Sequence, residues 1–125
     1  MKPTVTFEDY SKIEIRVGRI VEAIVPEGSN KLIQFTVDFG PTSSETWLEG
    51  REKRTIFSGI KEWYSAEELV GVTTIWVTNI PPKKTPFGES QGMLFAVDES
   101  YGEARELRPH IVRLPDKIEL GSEFH

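Results

Sequence analysis

A chain of 125 residues, 38% hydrophobic and 28% charged, is one domain's worth of sequence, with enough apolar material for a core and too little net charge for a disordered segment. The absence of cysteine excludes disulfides, thiolate metal sites and a cysteine nucleophile, and no apolar run approaches the roughly 18 residues a spanning helix needs. The net charge of −5 counts against a general nucleic-acid binder, but residues 98–125 hold seven acids against four bases, so the rest of the chain is closer to balance.

Met1 to Tyr10 is polar and acidic where a signal peptide would be basic and then apolar, so a cytoplasmic protein without membrane contact is expected. Apolar alternation with β-branched enrichment then predicts a long first strand over Ile13–Val25. Ile13, Ile15 and Val17 are expected on one face, continued by Val21, Ala23 and Val25, with a bulge or bend at Gly18. A second strand spans Leu32–Phe39, with Ile33, Phe35, Val37 and Phe39 on one face. Pro41–Lys53 reads as a loop whose Trp47 and Leu48 tuck back onto the body. A third strand follows over Arg54–Ile60.

Ser65 and Glu68 stand at capping-box spacing, and Gly71 supplies a stop, so one short helix precedes the fourth strand, Val72–Asn79. Ile80–Gly92 is a loop rich in proline and glycine, and Met93–Asp98 is a fifth strand. A turn at Ser100–Gly102 and a short extra strand over Ile111–Leu114 complete the prediction. Three strands, a helix and two strands is the element order of an all-β OB-fold, a five-stranded Greek-key barrel with a helix at one end. A β-sandwich with an incidental helix is the alternative.

No catalytic set emerges. His110 and His125 sit outside any triad or ligand spacing, and Gly28-Ser29-Asn30-Lys31 lacks the rest of a phosphate loop. No metal site and no cofactor are expected. The informative stretch is Asn79 to Met93, where Lys83 and Lys84 lie on the loop joining the last two barrel strands. Together with Lys31 on the loop between the first two strands, they could clamp a phosphate backbone, or they are solubilising charges.

Several segments match one family in register. Phe7-Glu-Asp-Tyr-Ser-Lys-Ile-Glu-Ile-Arg-Val-Gly18 resembles its aromatic opening turn and Ile-Arg-Val-Gly strand. Ser29-Asn-Lys-Leu32 with Val37-Asp-Phe-Gly40 is similar to its Ala-Asp-Lys-Leu and Val-Asp-Xaa-Gly pair. Arg54-Thr-Ile-Phe-Ser-Gly-Ile60, Asn79-Ile-Pro-Pro-Lys-Lys84 and Phe87-Gly-Glu-Ser-Gln-Gly-Met93 follow in order, and Leu114 to Phe124 resembles its closing strand. This is the tRNA-binding domain found at the C-terminus of methionyl-tRNA synthetases, in stand-alone structure-specific tRNA-binding proteins and in an aminoacyl-synthetase cofactor family.

The resemblance covers roughly residues 7–98 and implies a single domain with a C-terminal extension, 99–125, for closure or dimerisation. It implies non-catalytic tRNA binding by shape and backbone contacts, a homodimer, and an aminoacyl-tRNA synthetase as a further partner. Lys31, Arg54, Lys83 and Lys84 would contact phosphates, and Ser58, Asn79, Ser90 and Met93 would line the surface packed on the tRNA. Other roles stay open: Arg54 pairing with acids of the preceding loop, Ser58 and Asn79 satisfying strand ends, Met93 in the core, and Arg16 serving structure or a dimer. The second-to-third-strand loop, with Glu45, Glu49 and Glu52, is longer than the family's usual one. A related branch of the same fold, a secretion-type chaperone for unfolded polypeptide, is the competing function; its mark would be an exposed apolar groove.

Overall fold

The computed structural model describes residues 1–41, 50–103 and 106–124. Its first element, α1 (Phe7–Ser11), is a helix that periodicity did not reveal, because it is one turn long and buries no residue. Thr6 caps it, accepting from Asp9 N at 3.0 Å. The barrel strands follow as β1 (Ile15–Ile24), β2 (Ile33–Pro41), β3 (Arg51–Ser58) and β4 (Thr73–Val77), with α2 (Ala66–Leu69) between the last two. Ser65 and Glu68 form the reciprocal capping box, and Leu69 drives fully into the barrel end. Pro41 and Arg51–Lys53 belong to strands rather than to the predicted loop; Trp47, Leu48 and His125 lie outside the described residues.

The predicted fifth strand divides. Its first part is β7 (Met93–Leu94), paired with β4; Ala96–Tyr101, β8, leaves the barrel and pairs with β9 (Glu106–Ile111). The Ile80–Gly92 loop contains a small hairpin, β5 (Lys83–Thr85) and β6 (Gly88–Ser90). Ile111 ends β9, and the predicted extra strand Ile111–Leu114 is otherwise absent from the strand set of the described residues.

The sheet order is β3-β2-β1-β4-β7. Its two ends are drawn together by the segment leading into β7: Gln91 N donates to Thr55 O at 2.8 Å, and Thr55 N donates back to the Gln91 side chain at 2.8 Å. Backbone groups at the β3 edge are thereby satisfied. The result is the OB-fold barrel.

Two apolar layers hold it. Ile20, Ile33, Phe35, Val37, Phe39, Ile56 and Trp76 fill the interior. Trp76 meets Phe35 and Phe39 edge-on, and its indole N–H donates to Gly18 O at 3.0 Å. Ile15, Val17, Ile75 and Val77 face outward, covered by Phe95, Leu114, Ile118 and Leu120. The C-terminal segment runs along β1, where Val17 N donates to Ser122 O at 2.8 Å and Phe124 N to Ile15 O at 2.7 Å.

The single shared face expected for the odd-numbered apolar residues of the first strand is therefore corrected. The bulge falls between Ile20 and Glu22, not at Gly18, and it reverses the alternation. Ile20 points inward before it and Ala23 after it, while Ile15 and Val17 belong to the outer layer. Gly18 serves close packing instead: a Cβ there would lie 2.7 Å from Val37 Cγ1 and 2.8 Å from Phe39 Cε1.

Candidate nucleic-acid interface

Where β3 ends at Ser58, the chain turns sharply. Trp63 N and Tyr64 N both donate to Ile60 O, at 3.0 and 3.1 Å, and this turn projects the half-buried Trp63. The turn is stitched to the loop after β1. Lys61 N donates to Lys31 O at 3.1 Å, and the Lys61 ammonium to Ser29 O at 2.9 Å. Ser29 in turn bonds Leu32 through its hydroxyl, both as donor and as acceptor. Lys31 and Lys61 are thus brought to one concavity of about 510 Å³, lined also by Asn30, Gly59, Glu62 and Trp63.

A second concavity shares Gly59 and Trp63 with the first. Ser58, Ile60, Met93, Phe95, Leu107 and Pro109 line it, a largely apolar surface. Met93 is 51% exposed here and stands outside both core layers. Three of the eight expected residues, Lys31, Ser58 and Met93, therefore meet around Trp63.

The others lie elsewhere. Arg54 is turned inward, donating to Glu52 at 2.9 Å, to Thr78 O at 2.7 Å and to Gln91 O at 3.2 Å. Its guanidinium lies over the Phe39 ring, as does that of Arg16, which grips Glu52 with two 3.0 Å hydrogen bonds. Burial would raise the Glu52 pKa, but the hydrogen bonds and charges of Arg16 and Arg54 outweigh it and hold the carboxyl below its ordinary value. Asn79 ties down the N-terminal segment: its side chain accepts from Glu14 N at 2.7 Å and donates to Lys12 O at 2.6 Å. Ser90 is buried, accepting from Phe57 N and donating to Gly92 O, both at 3.0 Å.

Lys83 and Lys84 are exposed on the β5–β6 hairpin, opposite Ser90 and Glu89. As consecutive strand residues they point to opposite faces. Neither lysine, nor Lys31, has an ion-pair partner among the described residues. No group of three metal-ligating side chains occurs among the described residues.

Sequence reasoning missed Lys61 and Trp63. Both sit in a turn without periodicity; the wall shared by two concavities singles out Trp63, and the lining of the first singles out Lys61. The one available signal was Lys61-Glu62-Trp63 directly after the Ser-Gly-Ile segment.

A β-barrel of this type, with loop lysines that have no ion-pair partner among the described residues and an aromatic side chain between two concavities, has the architecture of the OB-fold modules. The family model described as "Putative tRNA binding domain" matches residues 15–123, and the chain belongs to that family. The methionine–tRNA ligase of Cupriavidus necator is 41% identical over 116 residues; the match takes in 90% of this chain and 16% of the ligase, so the chain corresponds to a small part of that enzyme. A MetRS-related protein from Pyrococcus horikoshii superimposes with a TM-score of 0.82 at 29% identity, covering 99% of this chain and all of that one. The chaperone CsaA of Bacillus anthracis shares the fold at 20% identity, with a TM-score of 0.76 over 98% of this chain and all of its own.

Proposed function

We propose that this chain binds tRNA through shape and phosphate-backbone contacts and performs no catalysis itself. One observation carries the reading: Lys31 and Lys61, from separate loops, are locked together beside Trp63, with Ser58 and the exposed Met93 on the adjoining wall. Cations beside a π-face and an apolar wall make a surface for a folded RNA backbone. Lys83 and Lys84 add charge on the hairpin, free to meet phosphates. Arg54, Asn79 and Ser90 have polar groups engaged within the fold, so they support the barrel rather than meet the RNA. The relation to methionine–tRNA ligases makes a synthetase a fitting partner, supplied with tRNA by this domain. A tRNA ligand would place the protein in the cytoplasm; no helix among the described residues is long and apolar enough to cross a membrane.

A titration with tRNA and with duplex DNA at two salt concentrations tests the reading. Preference for tRNA is expected, and replacing Lys31 and Lys61 by alanine should reduce the salt slope by about two. Equal affinity for both nucleic acids, or none for either, would overturn it.

The apolar second concavity favours one other reading, capture of unfolded polypeptide along Ile60, Met93, Phe95 and Leu107. In that case a denatured protein binds with little salt dependence and the lysine substitutions leave its affinity unchanged.

A further inference from the structure

The Lys83–Lys84 hairpin leaves the barrel after Thr78 and returns at Gln91. Both of these backbone positions are grasped by one side-chain nitrogen. Arg54 Nη1 donates to Thr78 O at 2.7 Å and to Gln91 O at 3.2 Å, so a single guanidinium joins the outgoing and returning feet. Each foot is also held from another side. Thr78 N donates to Glu14 O at 3.0 Å, and Gln91 exchanges two 2.8 Å bonds with Thr55. The clamp is itself fixed: Glu52 accepts from Arg54 Nε at 2.9 Å, Arg16 holds Glu52 from the other side, and the Phe39 ring lies beneath both guanidinium groups.

We propose that Arg54 is a positioning residue for RNA binding, acting through the two feet of the lysine hairpin rather than by touching a phosphate. The inference rests on the tRNA-binding reading above. Arg54 has the fork needed to satisfy two carbonyls and a carboxylate at once, whereas a lysine at that place presents a single ammonium without the planar fork. Its Nε is engaged by Glu52 and its Nη1 by two carbonyls, so these donors are occupied before a phosphate arrives. The hairpin approaches the barrel at Gly88, where a Cβ would lie 3.5 Å from Phe57 Cζ, and at Ser90, whose hydroxyl accepts from Phe57 N. Without the clamp, the hairpin stem has fewer points to fix its angle, and the free amines of Lys83 and Lys84 lose their place relative to Lys31 and Trp63.

The test uses the full chain, whose lack of cysteine allows unique labels. Spin labels at Glu62→Cys and Glu89→Cys, one beside Trp63 and one on the hairpin, report hairpin position without RNA. Arg54→Met and Arg54→Lys should both broaden the label-to-label distance distribution, with thermal unfolding confirming that each variant is folded; Arg54→Lys keeps the charge if Arg54→Met does not fold. Both should weaken tRNA binding by roughly tenfold, and should add less than about twofold when Lys83 and Lys84 are already alanine. An unchanged distance distribution overturns the proposal. So does a lysine variant with full affinity, or a loss that multiplies with that of the hairpin lysines, since these mark a direct charge contact. If the unmodified chain binds no tRNA, the parent reading fails while the distance measurement still decides whether the clamp exists.

Discussion

Phe57 N–H donates to the Ser90 hydroxyl at 3.0 Å, and that hydroxyl donates onward to Gly92 O at 3.0 Å. A side chain thus stands where a ladder partner would, and it helps join the β3 edge to the segment that enters β7. Ser90→Ala leaves the buried Phe57 N–H without an acceptor and should cost about 1–3 kcal/mol in urea unfolding. Below the unfolding transition any loss of tRNA affinity should disappear when Lys83 and Lys84 are already alanine, because the hydroxyl acts through the hairpin. Normal stability with lost affinity would instead make the hydroxyl an RNA contact.

The same residue illustrates what the sequence disclosed. Gly-Glu-Ser-Gln-Gly-Met was recognisable as a unit, yet Ser90 and Gln91 act in barrel closure, because only the folded sheet brings Thr55 and Phe57 opposite them. The strands β1 to β4 were legible because β-branched and aromatic residues alternate, as in Ile33, Phe35, Val37 and Phe39. The fifth strand misled for a physical reason. Leu94 pairs with β4 and Phe95 N still donates to Ile75 O, but Ala96 begins the pairing with β9, so the chain changes partner inside one apolar run. Lys31, Ser58 and Met93 line two adjoining concavities; Arg54 lines neither, because nothing local shows that Thr78 O and Gln91 O will lie within its reach. The hairpin β5–β6 was hidden by Pro81, Pro82 and Pro86, which read as loop punctuation.

Glu52 sits between two arginines, and its charge should appear in the pH dependence of stability. Burial works to raise its pKa, but the Arg16 and Arg54 contacts prevail and set it below the ordinary 4.5. A carboxylate depressed in the folded state contributes stability above its unfolded pKa and loses it as the pH falls through the folded value. Glu52→Gln should therefore be less stable than the unmodified chain by a constant amount near neutrality. That gap should narrow as the pH is lowered below about 4.5. A gap independent of pH from neutrality to acid would show that the carboxylate charge is not what the two arginines require.

Trp63 forms the wall common to both concavities, so its removal separates packing from charge. Trp63→Ala should weaken tRNA binding by roughly 1–3 kcal/mol, the scale of one stacking contact. The slope of affinity against salt should stay the same, because no cation leaves. Lys31→Ala gives the opposite pattern, a slope lower by about one. Should Trp63→Ala change the slope as well, the tryptophan acts by holding Lys31 and Lys61 in place, and stacking is not its role.

The N-terminal segment bears on the expected homodimer. Phe7 is 84% exposed and packs only loosely against Tyr10, with ring centroids 6.4 Å apart, while Val5, Ile13 and Phe124 are exposed as well. Phe124 N donates to Ile15 O, which brings the C-terminal segment alongside the start of β1, just after Ile13. A second copy covering this end would remove several large apolar side chains from water, at about 25 cal/mol per Å². Two aromatic residues on a one-turn helix with no buried side chain have no intramolecular reason to be there. Light scattering should accordingly give twice the chain mass, and Phe7→Glu, which places a charge in the patch without touching the barrel core, should shift the protein to the monomer. If the unmodified protein is monomeric at high micromolar concentration, this end serves some contact other than self-association. The two amine-bearing loops would then act on tRNA from a single barrel, without the doubled charge that a pair would present.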